Sequence, residues 1–214
     1  NKKMSKYDDA SKLLDEKLGN KDGLISLSTM ALNPGADGRS RPAARIVNAC
    51  YEDGAFYTVT YATSGKMRQI AQNPEVAVCI IVESFTADGI GENLGWVCDE
   101  KNSAIMTKLR TVFADWYDEA NNDADANTCL LRIRLNRGLW NDPHEGMKND
   151  IDFVNKTATC TAGHIRTACF PFPRGRLPPS VRQAAHHTSA PTTLSRSICP
   201  SPSPSASPMT SNAY

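Results

Sequence analysis

Apolar and hydroxyl side chains alternate along residues 24–31, which is the pattern of a half-buried β-strand. Three more strands are predicted at 42–51, at 55–61, which is dense in aromatic and β-branched residues, and at 129–135. A fifth segment, 76–83, is almost continuously apolar and predicts a more central strand. Apolar residues at helical spacing predict three helices, at 9–18, 65–72 and 102–119.

The order of these elements favours a small antiparallel barrel decorated by helices. The turn signal Glu52-Asp53-Gly54 joins two strands directly as a hairpin, and strictly alternating β-α-β units are missing. A doubly wound parallel sheet is therefore disfavoured. The glycine-rich segment 88–95 also lacks the strand-to-helix setting of a dinucleotide-binding motif.

Charge divides the 214 residues into two unlike parts. Residues 1–152 hold 18 basic and all 23 acidic residues, a net charge of −5, whereas the remainder holds six basic residues and no acidic one. Nine of the 13 prolines also lie in that remainder, which ends in a Ser/Pro repeat. A segment of this composition buries too little apolar area to fold. We therefore predict a domain over 1–157 and a Ser/Pro-rich basic tail over 158–214 that is disordered or out of frame.

Other uses of the tail are disfavoured. Six positive charges are sparse for a nucleic-acid-binding arm, and no regularly spaced aromatic residues accompany them. A Pro-rich ligand for a partner protein stays open as an alternative. No apolar run in the chain is long enough for a membrane helix, and no signal peptide is evident, so we expect a cytoplasmic protein.

The segment 56–74 carries the most informative chemistry. A strand ends in hydroxyl residues, a tight turn follows, and a helix opens with Ser64 near its cap and Lys66 in its first turn. Free amide groups and the positive end of the helix dipole favour a bound phosphate there. The alternative is that Ser64 only caps the helix and Lys66 is solvated.

These residues resemble a known family. Thr60, Ser64 and Lys66, followed by Asn73-Pro74, are similar to the signature of pyridoxamine 5′-phosphate oxidase-like proteins, the FMN-binding split barrels. Arg45-Ile-Val47 resembles the Arg-x-Val segment of that family, and 85–95 and 102–137 resemble its general stress protein group. The resemblance covers roughly residues 9–156. It implies a mainly β (α+β) fold, a six-stranded antiparallel split β-barrel with flanking helices.

The resemblance also implies a cofactor, FMN. Arg45 and Lys66 would contact its phosphate together with Ser64, Ile46 and Val47 would lie along the isoalloxazine ring, and Val59 and Thr60 would lie beside the ribityl phosphate. Gly65 stands where the oxidases usually carry Arg. In this family two protomers share each flavin site, so a homodimer is implied.

The substrate is left open. The Arg-x-His pair that holds the substrate phosphate in the oxidases has no counterpart after Arg132-Ile-Arg134. No catalytic residue can be named, since Glu83, Asp88 and Glu92 fit surface carboxylates, and no metal-binding pattern is present. The sequence thus predicts an FMN-dependent oxidoreductase of unknown substrate. A non-catalytic flavin- or haem-binding stress protein on the same fold is the alternative.

Overall fold

The structure, a computed structural model, describes residues 5–142 and 146–162. Its helices are α1 (Lys6–Leu18), α2 (Gly65–Gln72), α3 (Ser103–Val112) and α4 (Tyr117–Ala120). Its strands are β1 (Gly23–Met30), β2 (Pro42–Glu52), β3 (Ala55–Tyr61), β4 (Glu75–Ile80), β5 (Phe85–Trp96), β6 (Thr128–Asp142), β7 (Met147–Asp152) and β8 (Thr157–Ala162). Within the described ranges, no helix has both the length and the apolar character needed to cross a membrane.

The first six strands close into an antiparallel barrel. Their order is β3-β2-β1-β4-β5-β6, and pairing of β3 with β6 completes the ring. The two remaining strands, β7 and β8, extend the sheet from β6. The predicted six-stranded, mainly β architecture is thereby confirmed.

Alternate side chains of the barrel strands fill the interior. On β1, Ile25 and Leu27 are 0% exposed and pack with Phe56 of β3 and Leu131 and Ile133 of β6. This is the physical origin of the period-two pattern, because successive side chains of a strand point to opposite faces.

A second core lies on the outside of the barrel, where α3 and α4 cover it. Leu109 and Phe113 pack there against Cys50 of β2 and Leu130 of β6. Beside them, Asp123 is buried, with its carboxylate accepting hydrogen bonds from Arg110 and from the Tyr117 hydroxyl. This buried carboxylate is paired with a cation, as burial of a charge requires.

Two predicted elements differ in extent from the observed ones. The strand predicted at 76–83 ends at Ile80, since 81–84 form the turn to β5. The helix predicted at 102–119 is broken at Phe113–Trp116 into α3 and α4.

The strand β5 was not predicted because its glycines mask the alternation. A Cβ atom on Gly89 would clash with the carbonyl oxygen of Arg134, and one on Gly91 would lie 3.0 Å from the Ile70 side chain. Glycine is needed at these positions because β6 and α2 approach β5 closely.

The sheet continues past the predicted domain boundary at residue 157. Residues 158–162, assigned to the tail from composition, belong to β8, which pairs with β7 from Thr157 to Ala162. The alternation of Thr with Ala and Cys suits a strand although the segment carries no large apolar residue. The rest of the predicted tail, 163–214, lies outside the described residues.

Replacing a side chain inside the barrel tests this packing. We expect Leu27→Ala to lower the free energy of unfolding by about 2–5 kcal/mol, because it leaves a cavity in the core. Leu32→Ala, at a position 37% exposed, is the matched control and should cost less than about 1 kcal/mol. Urea denaturation measures both, and equal losses would contradict the assignment of Leu27 to the core.

Candidate functional site

The candidate site lies where the barrel is split. β2 pairs with β3 only from Cys50 to Glu52, whereas its pairing with β1 runs from Pro42 to Ala49. In the part of the chain that the structure describes, 42–49 therefore have a partner strand on one side only. Half of the backbone amide and carbonyl groups of this stretch face the split without a ladder partner.

The helix α2 begins immediately after β3 and opens toward free space. Ser64 is its N-cap residue, but the Ser64 hydroxyl makes no capping bond. Its oxygen is buried and has no hydrogen-bond partner in the described part of the chain. A Cβ atom on Gly65 would meet nothing within 4 Å. The first turn thus presents unpaired amides and an unsatisfied hydroxyl, which together suit an anionic acceptor.

Arg45 is held in place by neutral groups. Its guanidinium donates hydrogen bonds to the Thr29 hydroxyl (2.7 Å), the Leu27 carbonyl (3.2 Å) and the Gln69 side-chain oxygen (2.6 Å). Gln69 lies on α2, three residues after Lys66 and so on the same side of the helix. The contacts fix the guanidinium against α2 but leave its charge uncompensated.

Lys66 experiences the charge of Arg45. The pKa of Lys66 lies below its usual range because burial disfavours the ammonium and because Arg45 repels it. Burial likewise lowers the pKa of Arg45. No carboxylate within the described ranges forms an ion pair with either side chain. Two half-buried cations close together without a counter-charge form a site for an anion.

Thr60 lies on the same side of the barrel as this cation pair. It is 6% exposed and lies opposite Cys129 of β6 in the ladder. The Cys129 thiol is buried, which raises its pKa, and the nearby Lys66 ammonium partly offsets that rise. The structure therefore brings Arg45, Thr60 and Lys66 to one end of the barrel.

Three other predicted residues are distributed differently. Val47 is partly buried and packs against the inner core. The side chain of Ile46 points to the outside of the barrel and is 64% exposed, and Val59 packs outside against the α3 cluster. A ligand at the cations could meet Ile46 through its backbone, because adjacent side chains on β2 point to opposite faces.

The side chain of Ile46 borders an apolar groove of about 550 Å³ on the outer surface. Its walls include four exposed apolar side chains, Leu24 (62%), Ile46 (64%), Ile81 (82%) and Val82 (89%). A contiguous apolar surface of this kind is typical of a contact with another molecule. We call these four residues the apolar groove surface.

Sequence reasoning missed Thr29 and Gln69 as site residues. Gln69 carries a detectable signal, because its spacing from Lys66 puts both on one helix side. Thr29 carries none, because its contact with Arg45 depends on strand register.

The carboxylates considered for acid–base chemistry are engaged or outside the site. Glu92 pairs with Arg132 at 2.5 Å and with Arg134 at 3.4 Å, and Asp88 accepts from the Arg137 amide. Glu83 lies in the wall of the groove. Among the described residues, no group of three or more His, Cys, Asp or Glu side chains could hold a metal.

The uncompensated charge predicts an unusual effect on stability. We expect Lys66→Met to raise the free energy of unfolding of the ligand-free protein by about 0.5–1 kcal/mol, because the apolar stem stays and the repelled charge is removed. Arg68→Met removes an exposed charge from the same helix and should change stability by less than about 0.5 kcal/mol. Chemical denaturation compares them; a loss above about 1 kcal/mol for Lys66→Met would mean that Lys66 has a stabilising partner.

No family model matches the chain, and no curated protein matches it in sequence. Solved structures are similar to it. One of them superposes with a TM-score of 0.50 at 18% identity, and the superposition covers 71% of this chain and 97% of the other chain. A protein from Clostridium acetobutylicum related to general stress protein 26, of the pyridoxinephosphate oxidase family, matches with a TM-score of 0.44 and 10% identity over 70% of this chain and 96% of its own. A heme binding protein from Mycobacterium smegmatis matches with a TM-score of 0.46 and 17% identity, and the match covers 64% of this chain and 55% of the heme binding protein. The fold of this chain is a closed six-stranded antiparallel β-barrel with flanking helices, as predicted, and it superposes with solved structures of the same architecture.

Proposed function

We propose that the protein is an FMN-binding flavoprotein that acts as an oxidoreductase on a substrate still to be identified. The observation that carries this proposal is the pair of half-buried cations, Arg45 and Lys66, which form no ion pair with any carboxylate of residues 5–142 and 146–162. A phosphate monoester supplies two negative charges and several acceptor oxygens, and so complements this pair.

The residues at the split fit such a group. The FMN phosphate would accept hydrogen bonds from Arg45, from Lys66 and from the otherwise unpartnered hydroxyl of Ser64. The amides at the start of α2 would contribute further donors. The isoalloxazine ring would lie along the open edge of β2, where backbone groups of Ile46 and Val47 can meet ring heteroatoms, with Thr60 and Val59 beside the ribityl chain.

The protein's own part in the chemistry is to bind and orient the cofactor. Bound FMN supplies hydride and electron transfer. Gln69 and Thr29 fix the Arg45 guanidinium before any ligand arrives, which lowers the entropic cost of binding. Gly65 adds no charge at the position where the oxidases carry Arg, so the phosphate is held by fewer cations here.

A homodimer forms part of this proposal. The apolar groove surface (Leu24, Ile46, Ile81 and Val82) would be covered by a second copy of the chain, which would bring another protomer beside the open edge of β2. Such a contact is favoured because burial of apolar surface contributes about 25 cal/mol for each Å².

Flavin affinity tests the cofactor assignment. We expect Lys66→Met to weaken FMN binding by about 10- to 100-fold, because it removes a charge-assisted hydrogen bond of about 1.5–3 kcal/mol. Arg68→Met is the matched control and should change the affinity by less than about twofold. Titration of flavin fluorescence with the full chain provides the measurement.

The visible spectrum of the same samples separates FMN from haem. Equal FMN affinity of the wild type and Lys66→Met would contradict the phosphate site, and a Soret band on adding haem with no flavin binding would replace FMN by haem as the cofactor.

The groove contact is tested by a charge at its most exposed part. We expect Ile81→Asp to halve the molar mass of the assembly in light scattering, because the contact would bury an unpaired carboxylate. Val154→Asp introduces the same charge at an apolar position that is 62% exposed but outside the groove, and should leave the mass unchanged. If the Ile81→Asp variant has the same molar mass as the wild type, the groove is excluded as the interface.

A further inference from the structure

Among the residues that the structure describes, β8 is the last strand of the sheet and nothing pairs with its outer edge. Within the described ranges it pairs with β7 alone, over six residues from Thr157 to Ala162. One face of it is covered, since α1 packs against β8 and Ala158 contacts the inner core. The outer edge therefore presents a row of backbone donors and acceptors available for a further strand.

Edge strands of soluble proteins usually carry a device against pairing, such as a lysine, a proline or a bulge. β8 has none of these: residues 157–162 read Thr-Ala-Thr-Cys-Thr-Ala, without a charge or a proline, and their register with β7 is regular. Threonine also favours the extended conformation. The edge is thus suited to accept another strand.

The sequence of β8 is complementary to itself. In an antiparallel pair centred on Cys160, Thr159 lies opposite Thr161 of a second copy and Ala158 lies opposite Ala162. Threonine then meets threonine on one face, and the small residues meet on the other. Such Thr–Thr pairs stabilise a sheet, and no like charges are brought together.

We propose that β8 pairs with β8 of a second copy of this chain, antiparallel and centred on Cys160, so that the two sheets become continuous. This contact is separate from the apolar groove, since Ile81 lies on the β4–β5 turn and not on the β7–β8 hairpin. Its existence does not depend on the flavin proposal.

The exposed thiol of Cys160 reports the pairing directly. Directly opposed residues of antiparallel strands have Cα atoms about 4.5–5.5 Å apart, within the range that a disulfide spans. Diamide accepts two electrons and two protons from the two thiols. In the full chain carrying Cys98→Ser, Cys169→Ser and Cys199→Ser, we expect a disulfide-linked dimer that disappears when Cys160→Ser is added.

Two further variants show whether strand pairing brings the thiols together. Thr159→Lys with Thr161→Lys sets lysines opposite each other and should lower the cross-linked fraction at least about tenfold. The matched control, Thr107→Lys with Thr111→Lys, adds the same charge at two exposed positions on α3 and should leave cross-linking unchanged. Circular dichroism confirms that each variant is folded, and Ile81→Asp should also leave the cross-link unchanged.

The proposal is overturned if the dimer persists after Cys160→Ser, because other thiols would then be responsible. It is equally overturned if no cross-link forms. A cross-linked fraction that is the same with and without Thr159→Lys and Thr161→Lys would overturn it as well.

Discussion

The early end of the β2–β3 pairing is the constraint on which the candidate site depends. β3 departs from β2 after three residue pairs, while its pairing with β6, which runs along all of β3 from Ala55 to Tyr61, closes the barrel. The same departure leaves 42–49 of β2 with one partner strand and directs the end of β3 into α2. A fully paired barrel would satisfy the backbone of β2 and leave no opening at Arg45.

Electrostatics distinguish this opening from the rest of the molecule. Elsewhere, partly buried arginines have carboxylate partners: Arg110 contacts Asp123, and Arg132 contacts Glu92. Among the described residues, Arg45 and Lys66 have only neutral neighbours and each other, so their charges oppose folding until an anion binds. Binding sites often lower the stability of the ligand-free protein in this way, because groups that are arranged for a ligand have no partner until the ligand binds.

Local sequence signals predicted the elements around the site better than those farther away. The bounds of β3 and α2 agree with prediction, since alternation and an N-cap are properties of neighbouring residues. The strand β5 was missed because its residues Gly89 and Gly91 are required by the close approach of β6 and α2, which are distant in sequence. The same reason applies within the site: Ser64 and Lys66 share one helix turn, whereas the contact of Arg45 with Thr29 requires the register of two strands.

The assignment of the cation pair to a phosphate is tested most directly by titrating the full-length wild-type chain with FMN and with riboflavin, which differ only in that phosphate. Our account predicts that FMN binds at least about tenfold more tightly, because only FMN can satisfy Arg45, Lys66 and the Ser64 hydroxyl. Equal affinities for the two flavins, or no binding of either, would contradict it.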